Sequence, residues 1–390
     1  MKKRISTLLN AAMILGVVLF LLAGLAKAIL RPKELNDYEN RTAEQLPAFT
    51  LSGWLDGSFQ DGVETGLGDQ APLAYTMKMK YNDMDNDIKY RAFRLVSDAR
   101  PEQMVIYQGF RIYGGRHIAF APQKFEDVAP ILEKRTQNLR SLIEAHPETR
   151  FDLYYIEKDT DVVFETGEKL GIYEYLCEHL PLSPEHTACF EVNDLATFEE
   201  RFYCTDHHWN CDGSLLGYRQ VAELLDVGPA LEPTGEAVKF SDCFCGSKVQ
   251  LLGTQDLFVE PFYAYPYDYP DTSVTVNGEP GSYGLQDDFF AGKASYLTYG
   301  SFYGSDEAEV IFDRGEGENI LILGESFDNA IVRLLASHFG RTHCVDLRHY
   351  ENTMGKPFRL REYLEENDID RVLFIGNVGF YTMEEFMVED

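Results

Sequence analysis

The sequence predicts a mixed α/β domain in which a mostly parallel β-sheet is covered by helices on both faces. Segments with helical periodicity alternate with short apolar runs that fit buried strands, most regularly from residue 319 onward. Such alternation is typical of a parallel sheet whose strands are buried on both sides. The length of 390 residues and the hydrophobic content of 45% are enough for a large core, so a folded domain is expected.

The first regular elements are predicted between residues 104 and 156. Residues 104–107 and 111–113 fit short strands around a glycine-containing turn. Residues 128–146 have the apolar spacing of a helix, which stops at Pro147. Residues 150–156 are apolar enough for a buried strand.

The later elements are predicted to complete the sheet and its helical cover. A helix at residues 213–225 places five apolar side chains mainly on one face: Leu215, Leu216, Tyr218, Val221 and Leu224. The C-terminal part alternates strands and helices, namely strands at 319–323, 344–347 and 371–375 and helices at 329–339 and 360–367.

Residues 240–318 interrupt this pattern. They lack helical periodicity and are rich in Gly, Pro, Tyr and Phe, as in the run Tyr-Ala-Tyr-Pro-Tyr-Asp-Tyr-Pro at 263–270. We expect short strands and long loops that form a lobe inserted into the α/β body. The lobe is either an ordinary cover for the domain or a wall that binds a ligand.

The N-terminus predicts a membrane anchor. Basic residues at positions 2–4 precede an apolar run at about 8–26, which is just long enough to cross roughly 30 Å of hydrocarbon as a helix. Basic residues before a span favour an N-terminus inside the cell, so the chain from Arg31 onward is expected outside. A cleaved signal peptide is the alternative, because Ala-Lys-Ala at 26–28 has a small-x-small pattern; its central Lys and the length of the run favour the uncleaved anchor.

Three regions follow along the chain. Residues 1–30 are the cytoplasmic start and single transmembrane anchor, residues 31–100 an extracellular approach and the start of the domain, and residues 101–390 the α/β domain. The formal net charge is -29 at pH 7. This charge excludes nucleic acid as a partner, because phosphate backbones are bound by lysine and arginine.

A serine follows the predicted strand at 319–323, in the segment Gly324-Glu325-Ser326-Phe327. A serine at such a turn points its hydroxyl beyond the carboxyl edge of the sheet, where α/β folds bind their ligands. With a helix starting directly after it, the Ser326 amide and the helix dipole would favour a developing oxyanion. Helix N-capping is the structural alternative for this serine.

The segment Thr205-Asp206-His207-His208-Trp209-Asn210 supplies a base and a group to orient it. Asp206 and His208 are separated by one position, so both can lie on one side of a turn and the carboxylate can fix the imidazole tautomer. Catalytic triads are assembled in space, so the distance to Ser326 along the chain is no obstacle. A purely structural His pair is the alternative.

Together these motifs resemble the DHHW protein family. The resemblance rests on four features: Thr-Asp-His-His-Trp-Asn at 205–210 with Gly213 behind it, a strand ending in a serine turn, Val-Asp-Leu-Arg at 345–348, and a strand at 370–377. The sequence is also similar to AlgX/AlgJ-type SGNH-hydrolase-like proteins, in which the Asp-x-His element precedes the nucleophile. The match is weak from residue 40 and strong from about residue 203, and its order and spacing are specific.

The resemblance implies an SGNH-hydrolase-like, flavodoxin-like three-layer α/β/α fold. It also implies acetyl-ester chemistry on exported polysaccharides, as O-acetyltransferase or esterase, in partnership with a membrane-bound O-acyltransferase and without a cofactor or metal. Ser326 would be the nucleophile, His208 the general base and Asp206 its orienting group. Arg348 would contact substrate or oxyanion, and Asn377 would donate a hydrogen bond to the oxyanion.

Glu325 departs from this resemblance, because related proteins usually carry Asp before the serine. His207 is expected to be a structural neighbour, and Trp209 is expected to pack beneath the loop. The predicted reaction is a two-step acyl transfer in which His208 takes the proton of Ser326 and the acyl group then passes to water or a sugar hydroxyl.

Two other functions stay open. A non-catalytic surface module would use the same cleft to bind a glycan or to scaffold an export complex, which fits the acidic body, the aromatic insertion and Glu325. A zinc site at Cys204, His207, His208 and Cys211 is the weaker alternative, because no second Cys or His pair stands at comparable spacing.

Overall fold

The computed structural model describes residues 2–33, 35–36, 41–70, 104–253, 258–294 and 297–382, together with residues 77, 80, 81, 84, 88, 92 and 95. The chain divides into two compact units. The first comprises residues 1–99 and 249–257, and the second comprises residues 100–248 and 258–390.

The first unit begins with a long apolar helix. Its elements with described bounds are α1 (Lys2–Leu30), β1 (Leu35–Asn36), β2 (Arg41–Thr42), α2 (Leu51–Asp56) and α3 (Ser58–Gln70). Within α1, Met13–Leu30 has a mean hydropathy of 2.5 and is only 6% buried. This segment is long and apolar enough to cross a membrane, and a single-pass anchor and a signal sequence both have this length and composition.

The second unit is built on a large sheet. Its strands are β3 (Val105–Tyr107), β4 (Phe110–Tyr113), β5 (His117–Ala119), β6 (Arg150–Ile156), β7 (Val162–Val163), β8 (Glu168–Lys169), β9 (Thr187–Phe190), β10 (Val238–Phe244), β11 (Glu260–Ala264), β12 (Ser273–Val276), β13 (Glu279–Pro280), β14 (Glu309–Asp313), β15 (Asn319–Leu323), β16 (Arg341–Val345) and β17 (Arg371–Gly376). Eight of them form one sheet in the order β13-β12-β14-β16-β15-β17-β6-β9.

The sheet is mostly parallel. β16, β15, β17, β6 and β9 run parallel to one another, whereas β14, β12 and β13 continue one edge in antiparallel pairing. The predicted mixed α/β class with a mostly parallel sheet is therefore confirmed.

Helices pack against both faces of this sheet. They are α4 (Phe125–Ala145), α5 (Ile172–His179), α6 (Leu195–Arg201), α7 (Cys211–Leu224), α9 (Gln286–Phe290), α10 (Tyr299–Tyr303), α11 (Val332–Ala336), α12 (Leu347–Met354), α13 (Leu360–Glu366) and α14 (Val378–Thr382). The short helix α8 (Ser247–Leu252) begins in the second unit, and its residues from Val249 onward belong to the first. Successive residues of a strand face opposite sides. Accordingly Ile320 and Ile322 of β15 join a core with α7 and α11, whereas Leu321 and Leu323 join a second core with α4, α5 and α13.

Two predicted elements near the serine turn differ in the structure. The helix predicted at 329–339 is limited to α11, which follows a 3₁₀ turn at Asp328–Ala330. The chain must turn back early to start β16, and the Gly340 amide fixes this return by donating to the Glu318 carbonyl at 2.9 Å. The strand predicted at 344–347 ends at Val345, because Asp346 accepts a hydrogen bond from the Arg348 amide and caps α12.

The segment at 240–318 is less separate than a simple inserted lobe. β12, β13 and β14 extend the main sheet, while β10 and β11 pair with each other. α9 and α10 are short helices in a stretch where no helical periodicity was expected. Val310 and Phe312 of β14 face the core, which explains why this strand joins the sheet.

Candidate active site

The three predicted catalytic residues lie together at the carboxyl end of β15. His208 Nε2 is 2.7 Å from Ser326 Oγ, and His208 Nδ1 is 2.6 Å from Asp206 Oδ1. Both are hydrogen-bond distances. If Nδ1–H donates to the carboxylate, Nε2 is left to accept the hydroxyl proton of the serine. We call these residues the Asp206–His208–Ser326 cluster.

Ser326 is positioned by the turn after β15. Gly324 is required there, because a Cβ atom at this position would lie 2.0 Å from Asp328 Oδ2. The prediction that a helix starts directly after Ser326 is wrong, since a 3₁₀ turn follows and α11 begins only at Val332. The helix dipole therefore does not act on the serine. The Ser326 amide has no hydrogen-bond acceptor among the described residues and is available as a donor.

Asp206 is a buried carboxylate that is fully supplied with donors. Its Oδ1 also accepts from the His208 amide at 3.0 Å, and its Oδ2 accepts from the Ser247 amide at 2.8 Å. Burial alone would raise its pKa, but His208, His207 and the hydrogen bonds outweigh burial and hold the pKa of Asp206 below its usual range. Asp206 therefore stays ionised and can orient the imidazole. The close approach requires Gly246, where a Cβ atom would lie 2.3 Å from Asp206 Cβ.

Aromatic rings hold the His208 imidazole in place. The Tyr299 ring stacks on it with centroids 3.8 Å apart and an interplanar angle of 2°. The rings of His207 and Phe327 also contact it, at centroid distances of 3.8 Å and 5.1 Å. These contacts restrict ring rotation and exclude water, so the imidazole is preorganised toward Ser326.

The loop that carries Asp206 and His208 is fixed from both ends. Glu260 accepts from the amides of Cys204 and Thr205 at 2.9 Å and 2.6 Å, and from Thr205 Oγ1 at 2.6 Å. Trp209 is fully buried, and Gly217 makes room for its indole, since a Cβ atom there would lie 2.5 Å from the ring. The loop is therefore rigid although it has no regular structure.

Asn377 lies after β17 and is directed toward Glu325. Its side-chain amide donates to Glu325 Oε1, while its own Oδ1 accepts from the Gly379 amide at 2.7 Å. Burial raises the pKa of Glu325. The charges of Lys158 and Arg348 and the backbone amide of Asn377 oppose this effect. Because an amide nitrogen carries two hydrogens, one donor of Asn377 is left after the contact with Glu325.

Arg348 is engaged with two carboxylates. Its Nη2 lies 2.7 Å from Asp306 Oδ2 and 2.5 Å from Asp346 Oδ2. The guanidinium is therefore directed at acidic partners, and its predicted role as a contact to substrate or oxyanion stays a prediction.

The four ligands of the zinc alternative do not come together in the structure. Cys204 Sγ lies 3.4 Å from His117 Nδ1, and Cys211 starts α7. Within the described part of the chain, neither cysteine forms a cluster of metal-ligand atoms with His207 and His208. Both ring nitrogens of His208 are already used by Asp206 and Ser326.

Four residues around the cluster could not be found from the sequence: Gly246, Ser247, Glu260 and Tyr299. All belong to the segment at 240–318, which lacks helical periodicity. One local signal was present, because Thr298 and Ser301 form a capping box at the start of α10. That signal predicts a helix start but not that Tyr299 stacks on an imidazole.

Fold and cluster together define a mixed α/β protein with a serine, a histidine and an aspartate at the carboxyl edge of a mostly parallel sheet. Solved structures of similar fold include PatB1 of Bacillus cereus with a sulfonyl adduct, at a TM-score of 0.54 and 17% identity, covering 74% of this chain and 100% of PatB1. They also include a DHHW family protein from Eubacterium siraeum, at a TM-score of 0.52 and 16% identity, covering 74% of this chain and 98% of that protein. The resemblance to the DHHW family is thus confirmed at the level of fold.

A more distant similarity is to the O-acetyltransferase domain of Pseudomonas putida AlgJ, with a TM-score of 0.37 and 10% identity over 72% of this chain and 92% of that domain. No protein-family model matches the sequence. No curated protein matches it either.

Proposed function

We propose that this chain is an SGNH-like serine acyl-transfer enzyme. The observation that carries the proposal is the hydrogen-bonded Asp206–His208–Ser326 cluster, in which the base lies 2.7 Å from the serine hydroxyl. Helices packed in two cores on opposite faces of the sheet support the three-layer α/β/α arrangement of this class.

In the proposed reaction, Ser326 Oγ attacks the carbonyl carbon of an acetyl ester while His208 Nε2 takes its proton. The tetrahedral oxyanion accepts hydrogen bonds from the Ser326 amide and from the remaining Asn377 donor. Collapse expels the alcohol, which takes the proton from His208, and leaves an acetyl group on the serine. A sugar hydroxyl or water then attacks this ester, with His208 again acting as base.

We propose an exported polysaccharide as the substrate and a membrane-bound O-acyltransferase as the partner that supplies acetyl groups. The resemblance to DHHW and AlgX/AlgJ-type proteins supports this substrate class. Basic residues at positions 2–4 support an N-terminus inside the cell, with α1 as a single-pass anchor and the second unit outside.

The proposal is tested with the full-length chain purified in detergent. A sulfonyl fluoride is a suitable probe, because such reagents modify activated serine hydroxyls and one PatB1 structure contains a sulfonyl adduct. We expect the probe to label Ser326, as read by mass spectrometry of the peptide, and we expect acetyl release from 4-nitrophenyl acetate.

Ser326→Ala should abolish both labelling and acetyl release. The matched control is Ser141→Ala, which removes an exposed hydroxyl on α4 that donates to the Gln137 carbonyl. Equal acetyl release by the parent and Ser326→Ala chains would refute the enzyme proposal. Glycan binding without turnover in the parent would favour a non-catalytic surface module instead.

A further inference from the structure

A small acidic cavity lies beside the cluster, where β15 and β16 end. Its volume is about 20 Å³, which is room for one group the size of a water molecule. It is lined by five carboxylic side chains: Asp306, Glu307, Glu325, Asp328 and Asp346. We call this cavity the acidic pocket.

The acidic pocket occupies a position where α/β folds bind ligands. After β15 the chain passes to α11, whose Val332 and Leu334 pack in one core. After β16 it passes to α12, whose Tyr350 packs in the other core. The two connections therefore leave the sheet toward opposite faces, and the crevice between such strand ends is the usual ligand site of open sheets.

Most acids of the pocket have a partner. Arg348 pairs with Asp306 and Asp346. Asn377 donates to Glu325, and Asn277 Nδ2 donates to Glu307 Oε2 at 2.8 Å. Only one of these partners is a cation, so acidic groups outnumber basic groups in the pocket.

Asp328 is the exception. Its side chain lines the pocket and the residue is only 7% exposed, yet its carboxyl group receives no hydrogen bond from any described residue. A carboxyl group that lines a cavity and accepts no hydrogen bond from the protein can accept one from a bound group. Burial and the nearby Asp346, Asp306 and Glu325 raise the pKa of Asp328 well above its usual value.

We propose that the acidic pocket binds a compact cation that pairs with Asp328 next to Ser326. Two sources offer this chemistry, a metal ion and the ammonium group of an amino sugar. For a metal ion, possible ligand atoms of Asp306, Asp346 and His349 lie within 4.8 Å of one another, and Asp306 and Asp346 also line the pocket. An ammonium group would orient an amino sugar for acyl transfer at Ser326, and this second source rests on the proposed function.

Binding is tested on the full-length chain in detergent by thermal unfolding and by titration calorimetry. The probes are Ca²⁺, Mn²⁺, an oligosaccharide of glucosamine, and the corresponding oligosaccharide of N-acetylglucosamine, whose amide is uncharged. We expect either a metal ion or the glucosamine oligosaccharide to raise the melting temperature of the parent chain, since a ligand that binds only the native state stabilises it. The N-acetylated oligosaccharide should bind at least about tenfold more weakly than its charged counterpart.

The variant Asp328→Asn should lose the stabilisation by the cation and bind it at least about tenfold more weakly, which is the effect of losing one charged contact. Without ligand, this variant should melt at a higher temperature than the parent, because asparagine cannot ionise, whereas ionising the buried Asp328 carboxyl group costs free energy. A loss of binding then cannot be ascribed to misfolding. Asp313→Asn is the matched control. Asp313 lies at the end of β14 that is remote from the acidic pocket, so this substitution should leave cation binding unchanged.

The proposal is overturned if no probe stabilises the parent chain, or if Asp328→Asn binds the cation as tightly as the parent. It is equally overturned if Asp328→Asn melts at a lower temperature without ligand. Ser326→Ala separates the two proposals, because it should keep cation binding while losing acetyl release. If the parent chain binds the cation but releases no acetyl groups, only the enzyme proposal is refuted.

Discussion

Two neighbouring regions of the second unit shift the pKa of a buried aspartate in opposite directions. Asp206 in the cluster and Asp328 in the acidic pocket are 4% and 7% exposed. The pKa of Asp206 lies below its usual range because His208, His207 and backbone amides surround it. The pKa of Asp328 lies well above its usual value because burial and other acids surround it. Partners, rather than burial alone, decide which carboxyl group is ionised.

The two regions also differ in how completely their side chains are hydrogen-bonded. In the cluster, each of the three side chains has a partner at hydrogen-bond distance, an arrangement that supports the proposed reaction. In the acidic pocket, the Asp328 carboxyl group accepts no hydrogen bond from the described residues, which leaves it available to a ligand.

The largest expected effect is on the cluster. Asp206→Asn should lower the rate of acetyl release by roughly 10³–10⁴-fold, because an amide facing His208 Nδ1 favours the wrong imidazole tautomer. The measurement is kcat for 4-nitrophenyl acetate, with Asp313→Asn as a control for the same change of charge. A loss below about tenfold would mean that Asp206 does not orient the base.

A smaller effect is expected from the ring that holds the base. Tyr299→Leu should lower kcat by about 10- to 10²-fold with little change in KM, because the imidazole becomes free to turn away from Ser326. Tyr299→Phe keeps the stacked ring and should retain the parent kcat. The two variants are compared in acetyl release across pH. If the Phe variant is as impaired as the Leu variant, stacking is not what positions His208.

The smallest effect is on stability as a function of pH. Because the native pKa of Asp328 is raised, its contribution to stability is fully present below the unfolded value of 3.8 and is lost as pH rises through the native pKa. Asp328→Asn should therefore gain stability over the parent as pH rises, by about 1.4 kcal/mol for each unit of the pKa difference. Unfolding by urea at several pH values measures this gain.

Asp206 should behave in the opposite way. Its lowered native pKa means that its contribution is present above 3.8 and is lost as pH falls through the native value. If the stability advantage of Asp328→Asn over the parent shrinks as pH rises, the two aspartates do not differ in the way described.

Much of the fold could be predicted because its signals are local. The apolar run of β15 and the one-sided apolar pattern of α7 identify a strand and a helix without knowledge of their neighbours. α11 is shorter than expected because the start of β16 and the Gly340 contact end it, and these constraints come from tertiary structure.

The same distinction between local signals and tertiary contacts applies to the candidate site. Asp206, His208 and Ser326 could be chosen from motifs, whereas Tyr299 and Gly246 act through contacts with residues far away in the sequence. The same holds for Asp328. Its position two residues after Ser326 in the sequence reveals neither that it is buried nor that no described residue donates to its carboxyl group.

The position of β17 between β15 and β6 has a consequence for how the molecule is assembled. His208 follows the strands that are translated first, and Ser326 follows β15 on the other side of β17, 118 positions later along the chain. Because β17 is made after both and inserts between them, neither half can complete the sheet during synthesis. Pairing strands across such long loops is slow, so we expect His208 and Ser326 to meet late in folding.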